Sequence, residues 1–533
     1  MHTPPPAANR MPYPLMFEDQ IPELLAALPQ RISDTVAVWA ERSPNHPALV
    51  ESSGTWTYLQ LADQISETRN WLLHLGVRPG DRVLIVCENC RAFAALLLAV
   101  AALDAWPVLV NARLSASEVD QIRDHSGARL AFYTTAVSPQ AGQHAKRHGA
   151  VVEDKPGLGP VAIGPLNQGV KPEPLEPDPA SRVAALIYTS GTTGLPKGVM
   201  LSHRNVLYVA AVSARIRSLT PEDRLYGILP MSHAVGLSVV FLGALLSGST
   251  LYLAKRFDPV AALTALEKDR LSIVLGSPSM FSLLLDYLAM KGISSLNFPA
   301  LRIISSSGAP LQPALKAAVE KVFGMVLYNG YGVTECSPNI AQIPVESPRS
   351  DTSVGRILPG MEARLVGSDG NTVSSGEIGE LWVRGPNIMK GYYRAPEETA
   401  AAINPGGWFN TRDLARFEDG YLFIAGRTRE LIVHFGLNVY PAEVEAVLNA
   451  HPKVARSAVI GRPAADVKGG EEVVAFVLPA PQSSLNPAEL AEHAARHLAP
   501  YKRPSEILLV SSLPLTPTGK VRKDELLASR YGG

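Results

Sequence analysis

Short apolar runs alternate with longer apolar segments through the first half of the chain. Arg82 to Val86 follows the turn Pro79-Gly80-Asp81 and reads as a strand; a helix begins near Arg91, and Pro107 to Val110 is the next strand. Alternation of this kind builds parallel βαβ units with helices on both faces of a sheet. The most apolar stretch, Phe93 to Leu103, is stopped by Asp104 and Pro107. It is too short to span a bilayer and reads as a buried helix. A polar, proline-rich stretch, Lys171 to Ser181, reads as a surface connection. The strand Val183 to Tyr188 then runs into a Ser/Thr/Gly-rich loop, with a helix-like segment from about Asn205. Strands recur at Ser272 to Leu275 and Leu301 to Ser305.

From about Ser353 to Tyr421 the pattern changes to short strands punctuated by glycine, including Gly379 to Arg384, which predicts a small antiparallel barrel or sheet. The last hundred or so residues read as a separate unit. Pro441 to Leu448 places Val444, Val447 and Leu448 on one helical face, with Pro441 suited to the first turn. Val454 to Ile460 and Glu472 to Leu478 read as strands, and Pro487 to Leu498 as a helix. The fold class is therefore α/β. A large N-terminal domain, residues 1–428, carries doubly wound sheets plus a small β-barrel; a small, mobile α+β C-terminal domain spans 429–533.

Composition narrows the function classes. Hydrophobic residues make up 46% of 533, enough for large cores. Lys+Arg and Asp+Glu are both 49, so nothing in the charge argues for nucleic acid. There are three cysteines; Cys87 and Cys90 form a C-x-x-C without a second pair, which reads as two buried thiols rather than zinc or a redox site. The proline-rich lead-in from His2 to Pro14 lacks a signal-type apolar core, so a cytoplasmic protein is expected.

The strongest chemical signal is Tyr188-Thr189-Ser190-Gly191-Thr192-Thr193-Gly194-Leu195-Pro196-Lys197-Gly198. Its glycines permit tight backbone conformations, its hydroxyls and N–H groups can wrap phosphate oxygens, and Lys197 adds a cation. It is not a Walker A loop, because Pro196 and Gly198 flank the lysine. This string, with others in the same order from about Ile32 to Leu527, closely resembles the adenylate-forming superfamily of acyl-CoA synthetases, luciferases and peptide-synthetase adenylation domains. The resemblance implies that Thr189, Ser190, Gly191, Thr192, Thr193, Gly194 and Lys197 bind nucleotide phosphates, with Gly308 and Ala309 also at the nucleotide. In Asn329-Gly330-Tyr331-Gly332-Val333-Thr334-Glu335 it implies that Tyr331 stacks on adenine, Thr334 contacts the α-phosphate and Glu335 holds Mg²⁺. A flat ring and a hard oxygen ligand suit those tasks. In Gly407-Trp408-Phe409-Asn410-Thr411-Arg412-Asp413 it assigns Asp413 to the ribose, although Arg412 stands where the family usually has glycine. Arg427 is the second ribose candidate, and Arg429 occupies the hinge position.

Lys520, in Pro517-Thr518-Gly519-Lys520, would be a solvated tail lysine if met alone; the resemblance makes it the lysine that enters the site during adenylation. Gly436 lies where a family glycine approaches CoA, but Val433, Phe435 and Leu437 depart from the usual neighbours. The acid pocket implied is His233, Ala234, Val235, Gly236, Leu237, Ser306, Gly330, Gly332, Cys336 and Ser337, with His233 gating or lining it. Gly332 allows two readings: depth in the pocket, since acetate-activating relatives carry tryptophan there, or a tight backbone turn. The expected function is an ATP-dependent acid–CoA ligase using ATP, Mg²⁺ and coenzyme A on an apolar, medium-sized acid, either medium-chain fatty or aryl. Alternatives are an acyl-AMP ligase or luciferase-like enzyme with another acceptor, an amino-acid adenylating enzyme, and a non-catalytic nucleotide-binding regulator. The intact Thr334, Glu335, Asp413, Arg427 and Lys520 disfavour the regulator, and the absence of a carboxylate near His233 disfavours amino acids.

Overall fold

The computed structural model describes residues 20–190, 196–434, 437–463, 471–481, 483–515 and 521–526. The strand expected near residue 82 is Arg82–Cys87, buried at every position, and the next is Trp106–Asn111. Between them runs the helix Arg91–Ala102, whose residues Phe93 to Ala101 are all buried. A helix that is apolar all round must be enclosed, and its side chains share one core with strands of both large sheets. Cys90 caps that helix, its Sγ accepting from Phe93 N–H at 3.4 Å, while Cys87 lies in the preceding strand. Burial pushes the Cys90 thiol up to about 12 and raises the Cys87 thiol well above its ordinary value, as expected of inert structural thiols.

One sheet has nine strands and another eight. In the nine-stranded sheet Arg224–Gly227, Ile273–Gly276, Ile303–Ser306 and Leu327–Gly332 run parallel side by side. Gly276 lies opposite Ser306, and Ser306 opposite Asn329, so their carboxyl ends share one edge. The eight-stranded sheet is parallel through its centre and ends in antiparallel strands on each side.

Thr189 and Ser190, expected in a loop after Tyr188, belong to the strand instead. Val183–Ser190 pairs antiparallel with Pro196–Ser202, and only then does the helix His203–Ile216 begin, two residues before the expected start. Ser202 caps that helix: its Oγ accepts from Asn205 N–H, and its own N–H donates to Asn205 Oδ1. The strand was missed because Val199 and Leu201 alternate only briefly before the helical spacing takes over.

Of the two forms open to the glycine-punctuated stretch, it takes the sheet: Glu362–Val366, Gly379–Arg384, Phe409–Glu418 and Tyr421–Arg427 lie in that order, the outer two not pairing with each other. The C-terminal part has its own three-stranded sheet, Val454–Pro463, Glu471–Pro479 and Glu506–Leu509, with helices Pro441–Asn449 and Pro487–His497. Its apolar residues form clusters separate from the main core. Among the described residues no helix is long and apolar enough to cross a membrane.

Candidate active site

Several candidate residues lie at or just beyond the carboxyl ends of the parallel strands Ile303–Ser306 and Leu327–Gly332, where open α/β sheets bind ligands. The strand Leu327–Gly332 carries Gly330 and Tyr331, and the short turn Thr334–Cys336 follows it. Tyr331 Oη donates to Asp413 Oδ2, and Arg427 Nε donates to Asp413 Oδ1 at 3.0 Å. Asp413 and Arg427 are register partners on adjacent antiparallel strands, which sets that contact. Asp413 is only 3% exposed, whereas the Arg427 side chain is 40% exposed. Burial, reinforced by the Asp413 charge, raises the Tyr331 phenol well above its ordinary value and keeps it protonated as a donor.

Arg412 takes φ +57°, the left-handed conformation in which the family's glycine is at ease. Its N–H is held by Asn410 Oδ1 at 2.7 Å, and Asp413 N–H by Thr411 Oγ1 at 3.1 Å. Arginine thus occupies, at a steric cost, a conformation that glycine adopts freely.

Glu335 is half-buried, and Tyr392 Oη donates to its Oε1 at 2.9 Å. Lys197 Nζ sits 5.3 Å from the centre of the Tyr392 ring. Lys197 also lies opposite Thr189 in the hairpin, and Tyr392 pairs with Val199. Tyr392 thus connects the hairpin of Val183–Ser190 and Pro196–Ser202 to the Glu335 carboxylate, a contact no local pattern announced. Asn89, between the two cysteines, is a second residue the sequence did not flag. Its Nδ2 donates to the carbonyls of Gly227 (2.9 Å) and Leu229 (3.0 Å), and its Oδ1 accepts from Met231 N–H at 2.9 Å. It thereby holds the segment leading into His233.

His233 and Ala234 precede an eight-residue π-helix, Val235–Leu242, which contains Gly236 and Leu237. Such i→i+5 segments are rare and collect at functional sites. A Cβ on Gly236 would lie 2.1 Å from the Pro230 carbonyl oxygen, so close backbone approach alone requires glycine there. The same holds for Gly332: its Cβ would meet the Pro338 oxygen at 2.0 Å, and the tight-turn reading accounts for it. Gly330 is less constrained, the nearest atom being Ala341 O at 3.4 Å. Cys336 and Ser337 are buried; Ser337 Oγ donates to the Asn387 carbonyl at 2.9 Å. Ser306 is fully buried at the strand end, and its hydroxyl has no hydrogen-bond partner among the described residues. Gly308 and Ala309 follow on an exposed turn, Gly308 with φ +87°. Arg429 is exposed in the turn Thr428–Glu430. Gly191, Thr192, Thr193, Gly194, Phe435, Gly436 and Lys520 lie outside the described residues, as does the side chain of Ser190.

The chain matches the AMP-binding enzyme family over residues 36–393 and the AMP-binding enzyme C-terminal domain over residues 443–520. It is 34% identical over 497 residues to a feruloyl-CoA synthase of Amycolatopsis sp, covering 92% of this chain and 97% of that protein. It is 30% identical over 532 residues to 4-coumarate–CoA ligase-like 6 of Arabidopsis thaliana, covering 96% and 93%. Among solved structures it is similar to ATP-bound MatB from Rhodopseudomonas palustris, with a TM-score of 0.82, 28% identity, and 93% and 98% of the two chains covered.

Proposed function

The chain belongs to the AMP-binding enzyme family, and on that premise we propose that this AMP-forming acid–CoA ligase acts on an aryl acid or a similarly apolar one. The observation that carries the nucleotide half of this reading is the Tyr331–Asp413–Arg427 cluster at the carboxyl edge of the strands. Asp413 receives the ribose, Tyr331 packs against adenine, and Thr189, Ser190, Lys197 and the 191–194 segment hold phosphates. Thr334 contacts the α-phosphate.

Among the described residues no group of three or more His, Cys, Asp or Glu side chains could hold a metal ion. That fits Mg²⁺, which is usually held by one or two carboxylates plus substrate phosphates. Glu335 supplies the carboxylate, oriented by the Tyr392 hydroxyl. The ion, when bound, neutralises charge developing on phosphate oxygens.

In the first half-reaction a carboxylate oxygen of the acid attacks the α-phosphorus, and the bond to pyrophosphate breaks. Lys197 and Lys520 offset the negative charge gathered there. In the second, the CoA thiolate attacks the acyl carbon, and the bond to AMP breaks. Lys520 is then out of place, so residues 429–533 turn about Arg429 and bring Gly436 towards CoA. The boundary at 428/429 lies between the two stretches matched by the family, and the exposed turn holding Arg429 suits a hinge.

Support for the acid class comes from two sides. Two of the relatives carry feruloyl and 4-coumarate in their names, and the pocket segment is apolar apart from His233, Ser306 and Ser337. The unpartnered Ser306 hydroxyl is a ready hydrogen-bonding group for a polar ring substituent. The test is a panel running from acetate through fatty acids to cinnamate-type acids, assayed with ATP, Mg²⁺ and CoA. The expected products are acyl-CoA, AMP and pyrophosphate, with ring acids best. Release of ADP, or acetate as the best substrate, would refute it.

A further inference from the structure

The segment that carries Lys520 is bracketed by residues that close on each other. Leu515 and Val521 form an antiparallel bridge, and Arg522 N–H donates to the Pro514 carbonyl at 2.8 Å. Immediately beyond, Lys523 Nζ lies 2.8 Å from Glu430 Oε2 and 2.8 Å from Glu445 Oε1. Glu430 directly follows Arg429 in the turn Thr428–Glu430. Glu445 stands on the helix Pro441–Asn449, and its Oε1 also accepts from Val459 N–H at 2.7 Å.

The side chains of Lys523, Glu430 and Glu445 are 19%, 29% and 14% exposed, so water screens these pairs only in part. Two carboxylates share one ammonium, and withdrawing it would leave like charges facing each other away from water. The lysine therefore joins three segments: the turn after the sheet, the helix that follows it, and the described stretch beginning at Val521.

We infer that Lys523 is a positioning residue for the first half-reaction. Its two ion pairs tie the described stretch after residue 520 to the turn at 428–430 and to the helix Pro441–Asn449, so that rotation at that turn draws the chain next to Lys520 along with it. The inference rests on the readings of Lys520 as the adenylation lysine and Arg429 as the hinge. Misplacing a reacting group by about 1 Å can cost about 100-fold in rate, so loosening this tie should slow adenylation. Thioester formation, for which Lys520 is withdrawn, should be spared.

The experiment compares Lys523→Met, Lys523→Arg, Glu430→Gln and Lys520→Ala with wild type in three measurements: ATP–pyrophosphate exchange, conversion of supplied acyl-AMP and CoA to thioester, and thermal unfolding. In Lys523→Met the kcat for exchange should fall about 10- to 100-fold, with KM for ATP and thioester formation each within about threefold. Lys523→Arg, which keeps the charge, should recover most of the exchange. Glu430→Gln preserves volume and removes only the charge of the pair at the turn; should Lys523→Met not fold, it carries the test and should show the same split more weakly. Exchange within about twofold of wild type in both variants would overturn the proposal, as would equal losses in both half-reactions. Intact exchange in Lys520→Ala would overturn the Lys520 reading and this proposal with it. Selective loss there, beside unchanged exchange in Lys523→Met and Glu430→Gln, would overturn this proposal alone.

Discussion

Replacing Asp413 by asparagine alters a carboxylate that is 3% exposed and already accepts from Tyr331 Oη and from Arg427 Nε at 3.0 Å. An ionised carboxylate offers about four acceptor positions, so about two remain for the ribose hydroxyls. Asparagine keeps one oxygen and turns the other position into a donor. Arg427 can only donate, so the amide oxygen faces it and the NH₂ group faces Tyr331 and the ribose. At least one ribose hydroxyl then loses its acceptor, and the other loses charge assistance. One hydrogen bond to a charged group contributes about 1.5–3 kcal/mol, or about 10- to 150-fold in affinity. The folding cost should be smaller. The Arg427 side chain is 40% exposed, so water replaces much of what the pair supplied, leaving about 1 kcal/mol or less. Calorimetric titration of Asp413→Asn should therefore show ATP and AMP weakened alike, because both carry the ribose, while urea unfolding moves little. A double-mutant cycle with Tyr331→Phe measures the coupling directly. Nucleotide affinity within about threefold of wild type, or a loss of activity that merely follows the unfolded fraction, would refute the assignment.

Three further outcomes are expected. Arg412→Gly removes the cost of a left-handed arginine (φ +57°) and, after the entropy glycine loses on folding, should raise stability by about 0.5–1 kcal/mol in urea unfolding; a loss would contradict the backbone account. Gly332→Ala drives a Cβ to 2.0 Å from the Pro338 oxygen and should destabilise by about 2–4 kcal/mol, whereas Gly330→Ala, with 3.4 Å to its nearest atom, should cost about 1 kcal/mol or less. Equal melting temperatures for these two variants would show that the turn is not what fixes Gly332. Burial lowers the imidazole pKa of His203 to about 3, against about 6.5 when unfolded, so the unfolded chain takes up the proton first as pH falls. The stability this confers is complete above about pH 6.5 and is lost towards pH 3 at about 1.4 kcal/mol per unit, or about 2 kcal/mol by pH 5. His203→Gln, whose side-chain oxygen can still accept from the Ile32 N–H that His203 Nδ1 accepts at 3.2 Å, should flatten that slope between pH 7 and 5; an unchanged slope would refute the attribution.

Much of this protein was legible in one dimension because element type is a local property. The run Phe93 to Leu103 is apolar on every side, and only an enclosed helix satisfies that. Pro441 ahead of Val444, Val447 and Leu448 announced a helix start, and the alternation of short apolar runs announced parallel sheets. The residue types of the nucleotide site were equally visible, since phosphate, ribose and a hard cation each call for a particular side-chain chemistry. Pairing across the chain was not visible. Tyr392 reaches Glu335 from 57 residues away, and Asn89 reaches Leu229 from 140, contacts that no local window contains. The helix expected from about residue 205 is there, but a strand, Pro196–Ser202, stands between it and the Ser/Thr/Gly string, because it completes its hydrogen bonds on Val183–Ser190. Gly332 illustrates the same division. Sequence pointed first to pocket depth, with a tight turn as the alternative, and the approach of the Pro338 carbonyl favours the turn. Local propensity chooses helices and strands, but which backbone presses on which, and which side chain finishes a site, depends on contacts that exist only once distant segments are packed together.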